Sequence, residues 1–248
     1  MLKHFHPSIA ALLIQITATV TSGVLIALFS PSAGLLEWMI LQALLAGLLS
    51  FVARLPVWWI PMHLLFIPMV IAASTLNISS TWYLLLFLGL LLIYGKSFAT
   101  QVPLYLSSES VNQALETLLP EQQQFSFIDL GSGCGGLLKN LANTHDNGSF
   151  HGIESAPVPY AISKLRSLLG SGYDVRWGDF WKHDFSRYDV VYAYLSPVPM
   201  DSLWQKAKKE MRPGSLLISN TFVIPGVAPD QSIRLNDFSN STLYLWRL

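Results

Sequence analysis

The sequence predicts a chain of two parts: apolar helices over residues 1–95, followed by an α/β domain with a parallel sheet over residues 96–248. Three observations predict this division. Charged side chains are almost absent from the first part, strand-length apolar runs alternate with helix patterns in the second, and the first of these strands leads into a glycine-rich loop. Alternating strands and helices favour right-handed crossovers, so we expect the strand ends to share one crevice.

The first part is predicted to form four membrane-spanning helices. Of 15 Lys and Arg and 15 Asp and Glu residues, only Lys3, Glu37 and Arg54 fall within residues 1–95. At about 1.5 Å per residue, the first apolar run crosses the roughly 30 Å hydrocarbon core, and the others nearly do so with their flanks. A soluble helical core is the alternative, and the scarcity of charge disfavours it. The four runs are Ile9 to Phe29, Trp38 to Ala53, Val57 to Ala73 and Ser80 to Tyr94.

Basic residues predict the orientation of these helices. Lys3 precedes the first run, Arg54 lies between the second and third, and Lys96 follows the fourth, whereas the other two loops carry no Lys or Arg. Because positive charge collects on the cytoplasmic side, both termini and residues 96–248 are predicted to be cytoplasmic. We therefore expect an integral membrane protein, in a bacterial inner membrane, whose helices contact the lipid bilayer.

The second part shows regularly alternating patterns. Ser110 to Leu119 has the apolar spacing of a helix, and a strand-like segment from Thr242 to Trp246 is expected to complete the sheet. About 150 residues are enough for a domain with its own core. Strands are predicted near residues 125–130, 149–154, 173–177, 188–194 and 214–220, and helices near 136–143, 156–169 and 201–211.

The most informative motif is FIDLGSGCGG, which begins at Phe127. An apolar strand leads to Asp129 and ends in a loop with glycines at alternate positions, where the backbone has to approach a ligand closely. Glu154 ends the second strand about twenty residues beyond the glycines, which suits a carboxylate that binds the two ribose hydroxyls of a nucleotide. Asp179 follows the third strand. Three acidic residues at successive strand ends predict a nucleotide-type cofactor site.

The order of these acidic residues distinguishes between cofactors. A Rossmann dehydrogenase shares the glycines and the later carboxylate, but D-x-G-x-G-x-G followed by Glu and then Asp is typical of Rossmann-like class I S-adenosylmethionine-dependent methyltransferases. A P-loop is disfavoured because no Lys-Ser or Lys-Thr pair follows the glycines. A glycine-rich turn without a cofactor is the remaining alternative. The predicted cofactor-binding residues are Asp129, Gly131, Ser132, Gly133, Gly135, Glu154, Asp179 and Phe180.

Longer stretches carry a closer resemblance. The segments from His151 to Ser167 and from Val175 to Gly226 resemble the membrane-associated protein-lysine methyltransferases that modify ATP synthase subunit c or the adenine nucleotide translocase, together with their bacterial relatives. The resemblance covers nearly all of residues 97–248. Its closest marks are Asp179-Phe-Trp181, Tyr-Asp-Val-Val at 188–191, a proline-rich turn with Met200, and the step Val102-Pro103.

The chain departs from the pattern of that family at two places near the predicted cofactor site. The glycine loop has Cys134 and Gly135, where the family commonly has Asp and Arg. The segment after Pro103 is Leu104 to Ser107, where the family usually has Thr-Pro. The four predicted helices also exceed the short single anchor of the mitochondrial members.

The resemblance implies transfer of a methyl group from S-adenosylmethionine to a lysine amine. A lysine with a pKa of about 10.4 must arrive without its proton, and an apolar, aromatic slot favours that form. We predict Tyr194 as the catalytic residue, because the fourth strand ends there, and Glu109 as a proton acceptor or amine-orienting group. Ordinary packing of the aromatic side chains and a solvated carboxylate at a helix start are the alternatives. The predicted slot is lined by Trp181, Tyr192 and Pro197.

The predicted anchor favours a substrate in the same bilayer. A membrane protein with a lysine near the cytoplasmic headgroups fits, and ATP synthase subunit c is the leading candidate from the resemblance. A lipid amine or a quinone precursor, and a domain that binds the cofactor without catalysis, are the alternatives. Nucleic acid is not expected as a partner because the net charge is near zero, and no metal is expected because the histidines lack ligand spacing and Cys134 is the single cysteine.

Overall fold

The computed structural model describes residues 7–76, 78–100, 102–170 and 172–248, without the side chains of residues 97–100. The chain divides into two compact units, Met1–Leu84 and Leu85–Leu248. This division falls within the fourth helix, earlier than the boundary after residue 95 that the sequence predicts. Lys3, on which the predicted orientation partly rests, lies outside the described residues.

The described residues up to 100 form four helices: α1 (Pro7–Phe29), α2 (Leu35–Val52), α3 (Trp59–Thr75) and α4 (Ser80–Thr100). Within the described residues, α1 and α2 are long and apolar enough to cross a membrane, whereas α3 and the apolar part of α4 are shorter. The helix α4 continues past Tyr94, so Lys96 lies inside it and does not follow it as the sequence analysis expected. Four crossings therefore stay a prediction.

Small residues hold the helices of the first unit together. Ile14 and Ala18 of α1 form a buried cluster with Ala46 of α2, and such small side chains let helix backbones approach closely. One polar contact joins α1 to α3, where the ring nitrogen Nδ1 of His63 lies 2.8 Å from Oε1 of Gln15. Many large apolar side chains of these helices are exposed instead of buried, which is unfavourable in water.

The second unit contains a seven-stranded sheet in the order β3-β2-β1-β4-β5-β7-β6. Its strands are β1 (Phe125–Leu130), β2 (Gly148–Glu154), β3 (Tyr173–Trp177), β4 (Val190–Ala193), β5 (Leu216–Asn220), β6 (Gln231–Arg234) and β7 (Thr242–Arg247). Its helices are α5 (Glu109–Leu118), α6 (Gly136–Thr144), α7 (Pro157–Leu168) and α8 (Met200–Glu210), with short 3-10 turns at Phe180–Lys182 and Phe185–Arg187. The predicted α/β fold with a Rossmann-like order is thus present.

The sheet is not entirely parallel, which corrects the expectation from strand and helix alternation. Strands β1 to β5 are parallel, but β7 runs antiparallel between β5 and β6. Strand β6 was missed in the sequence because its side chains are mostly exposed and lack an apolar pattern. The strand order reverses between β1 and β4, and ligands of such sheets bind beside the strand ends at this point.

Two buried layers fix the strand ends in place. Phe127 and Tyr192 belong to one cluster, while their sequence neighbours Ile128 and Val191 belong to the other. Neighbouring residues of a strand face opposite sides of the sheet, so β1 and β4 carry core on both faces. The residues that follow these strands are therefore held by a packed core.

Candidate active site

Two adjoining cavities lie at the carboxyl edge of the sheet. The first has a volume of about 410 Å³ and the second of about 260 Å³. Gly131, Tyr105 and Tyr194 line both cavities, so the two meet beside the glycine loop. The first is also lined by Glu154, Ser155, Asp179, Phe180, Trp181 and Pro199, and the second by Ser107, Glu109, Asn112, Asp129, Ser132 and Tyr192.

The glycine loop leaves little space for a side chain at two positions. Gly135 has a φ of 72°, in the left-handed region, and a Cβ there would overlap the hydroxyl of Ser163. Gly133 has a φ of 54°, and a Cβ there would lie 3.2 Å from Cδ1 of Leu104. The sequence departure at Gly135 is therefore compatible with the loop, because Ser163 of α7 occupies the space that a longer residue would need.

Glu154 joins the glycine loop to the start of α7. Its Oε2 accepts a hydrogen bond from the Gly133 N–H at 2.9 Å, and its Oε1 accepts from the N–H groups of Ser155 and Ala156, each at 2.7 Å. A carboxylate has about four acceptor positions, so about one stays open toward the first cavity. Contact with ribose hydroxyls stays a prediction, and the structure adds a second role in ordering the loop.

Asp129, the last but one residue of β1, places a buried carboxyl group in the second cavity. Burial, and then the negative charge of Glu154, raise the pKa of Asp129 from 3.8 to about 8. Near pH 7 the carboxyl group therefore carries a proton when no cation is beside it. A bound ammonium group would favour the ionised form, so Asp129 is suited to a ligand with a positive charge.

Two buried polar atoms of the second cavity have no partner among the described residues. They are the hydroxyl oxygen of Ser132 and Oδ1 of Asn112. The amide Nδ2 of Asn112 donates to Oε2 of Glu109 at 3.2 Å. Unpaired buried acceptors are costly, so this cavity suits a polar ligand. Sequence reasoning missed Asn112, although an Asn on the buried face of an amphipathic helix is a usable signal.

The turn after β3 forms one wall of the first cavity. Asp179 accepts a hydrogen bond from the Trp181 N–H through Oδ1 at 3.0 Å, which caps the short turn that follows. The rings of Phe180 and Trp181 lie 4.7 Å apart. Trp181 was predicted in the acceptor slot, but it lines the first cavity together with these two predicted cofactor-binding residues.

Residues 102–108, called the strap here, cross both cavities. The ring of Tyr105 stacks on Tyr194 at a centroid distance of 4.8 Å and lies 5.9 Å from Phe222. The hydroxyl groups of Ser107 and Tyr192 lie 3.0 Å apart. Tyr105 was missed as a site residue, although the Val102-Pro103 step marked this segment in the sequence.

Tyr192 is a fixed part of the second cavity. Its ring is buried, and its oxygen accepts a hydrogen bond from Nδ2 of Asn220 at 3.1 Å. Burial, followed by the charge of Asp129, raises the pKa of Tyr192 above its usual value of 10.0. The phenol therefore stays neutral, and Tyr192 serves as a positioned wall residue instead of a base.

Other predicted acceptor-side residues fall in different places. Tyr194 is half-buried where the two cavities meet, and Glu109 lines the second cavity from the start of α5. Pro197 is exposed and lies outside both cavity linings, which corrects its assignment to the slot. Pro199 lines the first cavity instead. The conformation of the turn after β4 decides which of its residues reaches a cavity, and the sequence alone does not specify that conformation.

Comparisons with known proteins agree with this geometry. Residues 129–231 match the family model of the ANTKMT methyltransferase domain. A protein-lysine N-methyltransferase of Saccharolobus islandicus is 26% identical over 155 residues, which cover 60% of this chain and 96% of that protein. A crystal structure of an RNA methyltransferase from Salinibacter ruber with S-adenosylhomocysteine is 25% identical, with a TM-score of 0.52, and covers 58% of this chain and 93% of that one.

The α/β domain is a class I S-adenosylmethionine-dependent methyltransferase, and the match over residues 129–231 supports the ANTKMT type. S-adenosylmethionine is therefore the cofactor of this methyltransferase. The residues of the two cavities fit S-adenosylmethionine. In the first cavity, the carboxylate of Glu154 can bind ribose beside apolar walls. The second cavity offers the carboxyl group of Asp129 and the unpaired polar atoms of Ser132 and Asn112. The adenosyl part would be held in the first cavity and the amino acid part in the second.

Proposed function

We propose that this methyltransferase is anchored in a membrane and methylates a lysine amine of an integral membrane protein. The observation that carries the proposal is that the two cavities share Gly131, Tyr105 and Tyr194. If the linings of both cavities hold the cofactor, its methyl group would be supplied beside these three residues. The acceptor amine then has to enter through the outer part of the second cavity, beside the rings of Tyr105 and Tyr194.

The residues of the chain have to align a neutral amine with the methyl group. When bound, the cofactor supplies a methyl group made electrophilic by a sulfonium. The rings of Tyr105 and Tyr194 offer an aromatic wall of low polarity, which disfavours the ammonium form of lysine. Glu109 is the carboxylate at the acceptor side of the second cavity and would take up the proton of the amine, directly or through water. Asp129 is assigned to the ammonium group of the cofactor.

Lysine is favoured as the acceptor by the relative from Saccharolobus islandicus, whose name states that activity. The protein from Salinibacter ruber is named an RNA methyltransferase. Near the cavities of this chain, Lys96 lines the first cavity and Lys182 lies in the turn after β3, but the strap and the loops after β4, β5 and β6 offer no basic side chain to a phosphate. Residues 102–108, 194–199, 221–229 and 235–241 contain no Lys or Arg. Binding to RNA depends on such basic side chains, so a protein acceptor is the better supported choice.

Membrane anchoring is favoured by the first unit. The helices α1 and α2 are long and apolar enough to cross a bilayer, and they expose large apolar side chains such as Leu12, Leu28 and Leu44. We propose four crossings with the methyltransferase domain in the cytoplasm, as the basic residues predict. An anchored enzyme gains effective concentration toward a substrate in the same bilayer, and ATP synthase subunit c is the proposed substrate.

Labelling of membranes tests this function. Membranes from cells without the gene are incubated with the purified chain and S-adenosylmethionine that carries a tritiated methyl group. The expected result is label on a lysine of a small membrane protein, and no label with Asp129→Ala, which removes a predicted cofactor contact. Label in lipid would favour the lipid or quinone alternative. An absence of label would favour cofactor binding without catalysis.

Mass spectrometry tests the proposed substrate directly. Subunit c from cells with the gene should carry a methyl increment on a lysine that is missing in cells without it. Equal lysine masses in both would exclude subunit c as the substrate while leaving the activity itself to the labelling experiment.

A further inference from the structure

Four exposed apolar side chains lie on loops at the carboxyl edge of the sheet, the edge at which the cavities lie. They are Leu106 of the strap, Val198 after β4, Val223 after β5, and Phe238 between β6 and β7, called the rim here. Leu106 is 71% exposed and Val198 is 62% exposed, and the side chain of Phe238 is fully exposed. Single exposed apolar residues are common, but four on the loops at one edge indicate a contact surface.

The fold places these loops at one edge. The sheet is parallel through β4 and β5, and β6 runs in the same direction because both β5 and β6 pair antiparallel with β7. The residues that follow β4, β5 and β6 therefore lie at the carboxyl edge, where the cavities open. Side-chain contacts bring the strap to this edge as well, since the hydroxyl of Ser108 donates to Oδ2 of Asp237 at 2.7 Å.

The rim is also nearly free of charge. Across residues 102–108, 194–199, 221–229 and 235–241, the single charged residue is Asp237. Its carboxylate accepts hydrogen bonds from Ser108 and from both the N–H and the hydroxyl of Ser241. Hydrogen bonds from the strap and from its own loop thus stabilise this carboxylate. Transfer of such a surface out of bulk water costs little free energy, because few charged groups have to be desolvated.

We infer that the rim docks on the lipid bilayer, so that the active site opens at the level of the headgroups. This inference rests on the proposed membrane anchor. The apolar helix α4 ends at Thr100, and the strap begins at Val102. Leu106 lies six residues after Thr100, and six residues span at most about 22 Å, so the chain keeps Leu106 within that distance of the end of α4. Apolar faces that dock in this way lie about 5–10 Å into the boundary between headgroups and acyl chains.

Exposed apolar residues also occur on α7, and they provide a matched control. Ile162 and Leu165 are exposed, but they lie within α7, between β2 and β3, and not on the loops that carry the rim. No neighbouring apolar helix in the sequence brings a membrane to this face. The inference therefore predicts different surroundings for Phe238 and Leu165, although both are apolar and exposed.

Site-specific fluorescence quenching tests the inference. Because Cys134 is the single cysteine, Cys134→Ser gives a background for one label at a time, checked by binding of S-adenosylhomocysteine. Labels are placed in Phe238→Cys and Val223→Cys, with Leu165→Cys and Glu121→Cys as controls and Leu86→Cys in α4 as the membrane reference. The full chain is reconstituted in phosphatidylcholine and phosphatidylglycerol vesicles that contain doxyl lipids.

The expected result is quenching at positions 238 and 223 that exceeds quenching at positions 121 and 165 by about twofold or more, as expected for a surface within the headgroup boundary. Equal quenching at 238 and 121, with strong quenching at 86, would overturn the docking while the anchor stands. An unquenched label at 86 would remove the anchor and the docking together.

Methyl transfer separates docking from the proposed activity. Phe238→Ser combined with Val223→Ser should lower labelling of membranes by about tenfold while binding of S-adenosylhomocysteine stays unchanged, because only orientation is lost. Leu165→Ser should leave labelling unchanged. Unaltered labelling by the rim variant would contradict the inference. If the wild-type chain labels nothing, the proposed activity fails, and the quenching comparison still decides whether the rim docks.

Discussion

At the scale of single residues, Asp129 is the group whose properties depend most on its surroundings. Its carboxyl group is buried beside a second carboxylate, which is why its pKa is raised to about 8. An acid of this kind binds its proton more tightly in the folded chain than in the unfolded chain. Both the stability of the cofactor-free protein and its affinity for a cationic ligand should therefore depend on pH.

The stability of the cofactor-free protein should decline as the pH rises. The pKa of Asp129 moves from 3.8 in the unfolded chain to about 8 in the folded chain. The folded state thus holds more protons between these values, and the contribution of this group is greatest below about pH 4 and is lost by about pH 8. Asp129→Asn should lack this decline and be at least as stable as wild type at pH 8. Melting temperatures from pH 5 to 8.5 measure the difference.

The affinity for S-adenosylhomocysteine should change in the opposite direction. Because its ammonium group requires an ionised Asp129, binding should tighten by about tenfold for each pH unit between 6 and 8 and level off above the pKa. Asp129→Asn should bind weakly with no such slope. Calorimetry across this pH range tests the prediction, and a flat wild-type profile would show that Asp129 does not contact the charged group.

Glu154 should be sensitive even to an isosteric change. Its two oxygens accept three backbone N–H groups, whereas a glutamine amide offers one acceptor oxygen and turns an NH₂ toward these donors. Glu154→Gln should weaken binding of S-adenosylhomocysteine by about tenfold or more, since a buried hydrogen bond is lost. Circular dichroism serves as the folding control. Unchanged affinity in a folded variant would remove Glu154 from the cofactor site.

At the scale of elements, the strap is held to the sheet by contacts between distant parts of the chain. Ser107 contacts Tyr192, Ser108 donates to Asp237, and Tyr105 stacks on Tyr194. Strand β4 thus supports the strap from below, while the loop between β6 and β7 holds its end. The strap forms part of the wall of each cavity. The contacts that hold the strap should therefore control how firmly the cavities enclose the cofactor.

Removal of one strap contact should affect the cofactor more than the fold. Tyr192→Phe deletes the hydroxyl that contacts Ser107 and accepts from Asn220, but it keeps the buried ring. We expect faster release of S-adenosylhomocysteine, by about threefold to tenfold, since one to two hydrogen bonds are lost. Stopped-flow fluorescence measures this rate. Ser107→Ala should give the smaller effect, because the bond from Asn220 remains, and an equal rate in all three proteins would argue against a role for the strap.

At the scale of the whole molecule, the apolar helices and the methyltransferase domain should separate in function. Deletion of residues 1–95 should leave binding of S-adenosylhomocysteine within about threefold of the full chain, while methylation of membranes falls sharply, because only encounter and orientation are lost. Calorimetry and labelling of membranes measure the two effects. Equal methylation with and without the helices would contradict an anchoring role.

The orientation of the helices is open to a direct test. Reporters at Ser32 and Asn77 should lie outside the cytoplasm, and a reporter at the carboxyl terminus should lie inside it, as the basic residues predict. Asn77 lies outside the described residues, so Ser32, between α1 and α2, is the position with a structural basis. An external carboxyl terminus would contradict both this orientation and access to a cytoplasmic cofactor.

Local patterns were sufficient to predict most elements of the α/β domain. Strands β1 and β3 have the bounds that the sequence predicted, and α6 and α7 differ by one residue at their ends. Buried strands with apolar runs and amphipathic helices have clear signals. Strand β6 had none, because an edge strand with exposed polar side chains owes its conformation to pairing with β7.

The sequence by itself determined the separation of charge, the alternation of strands and helices, and the acidic residues at strand ends, because each depends on residues close together in the chain. Only the tertiary structure decided which residues form the junction of the two cavities. Ser107 and Tyr192 are 85 positions apart, and Ser108 and Asp237 are 129 positions apart. Such contacts, the exclusion of Pro197 and the raised pKa of Asp129 depend on packing across the sheet, which no local pattern in the sequence specifies.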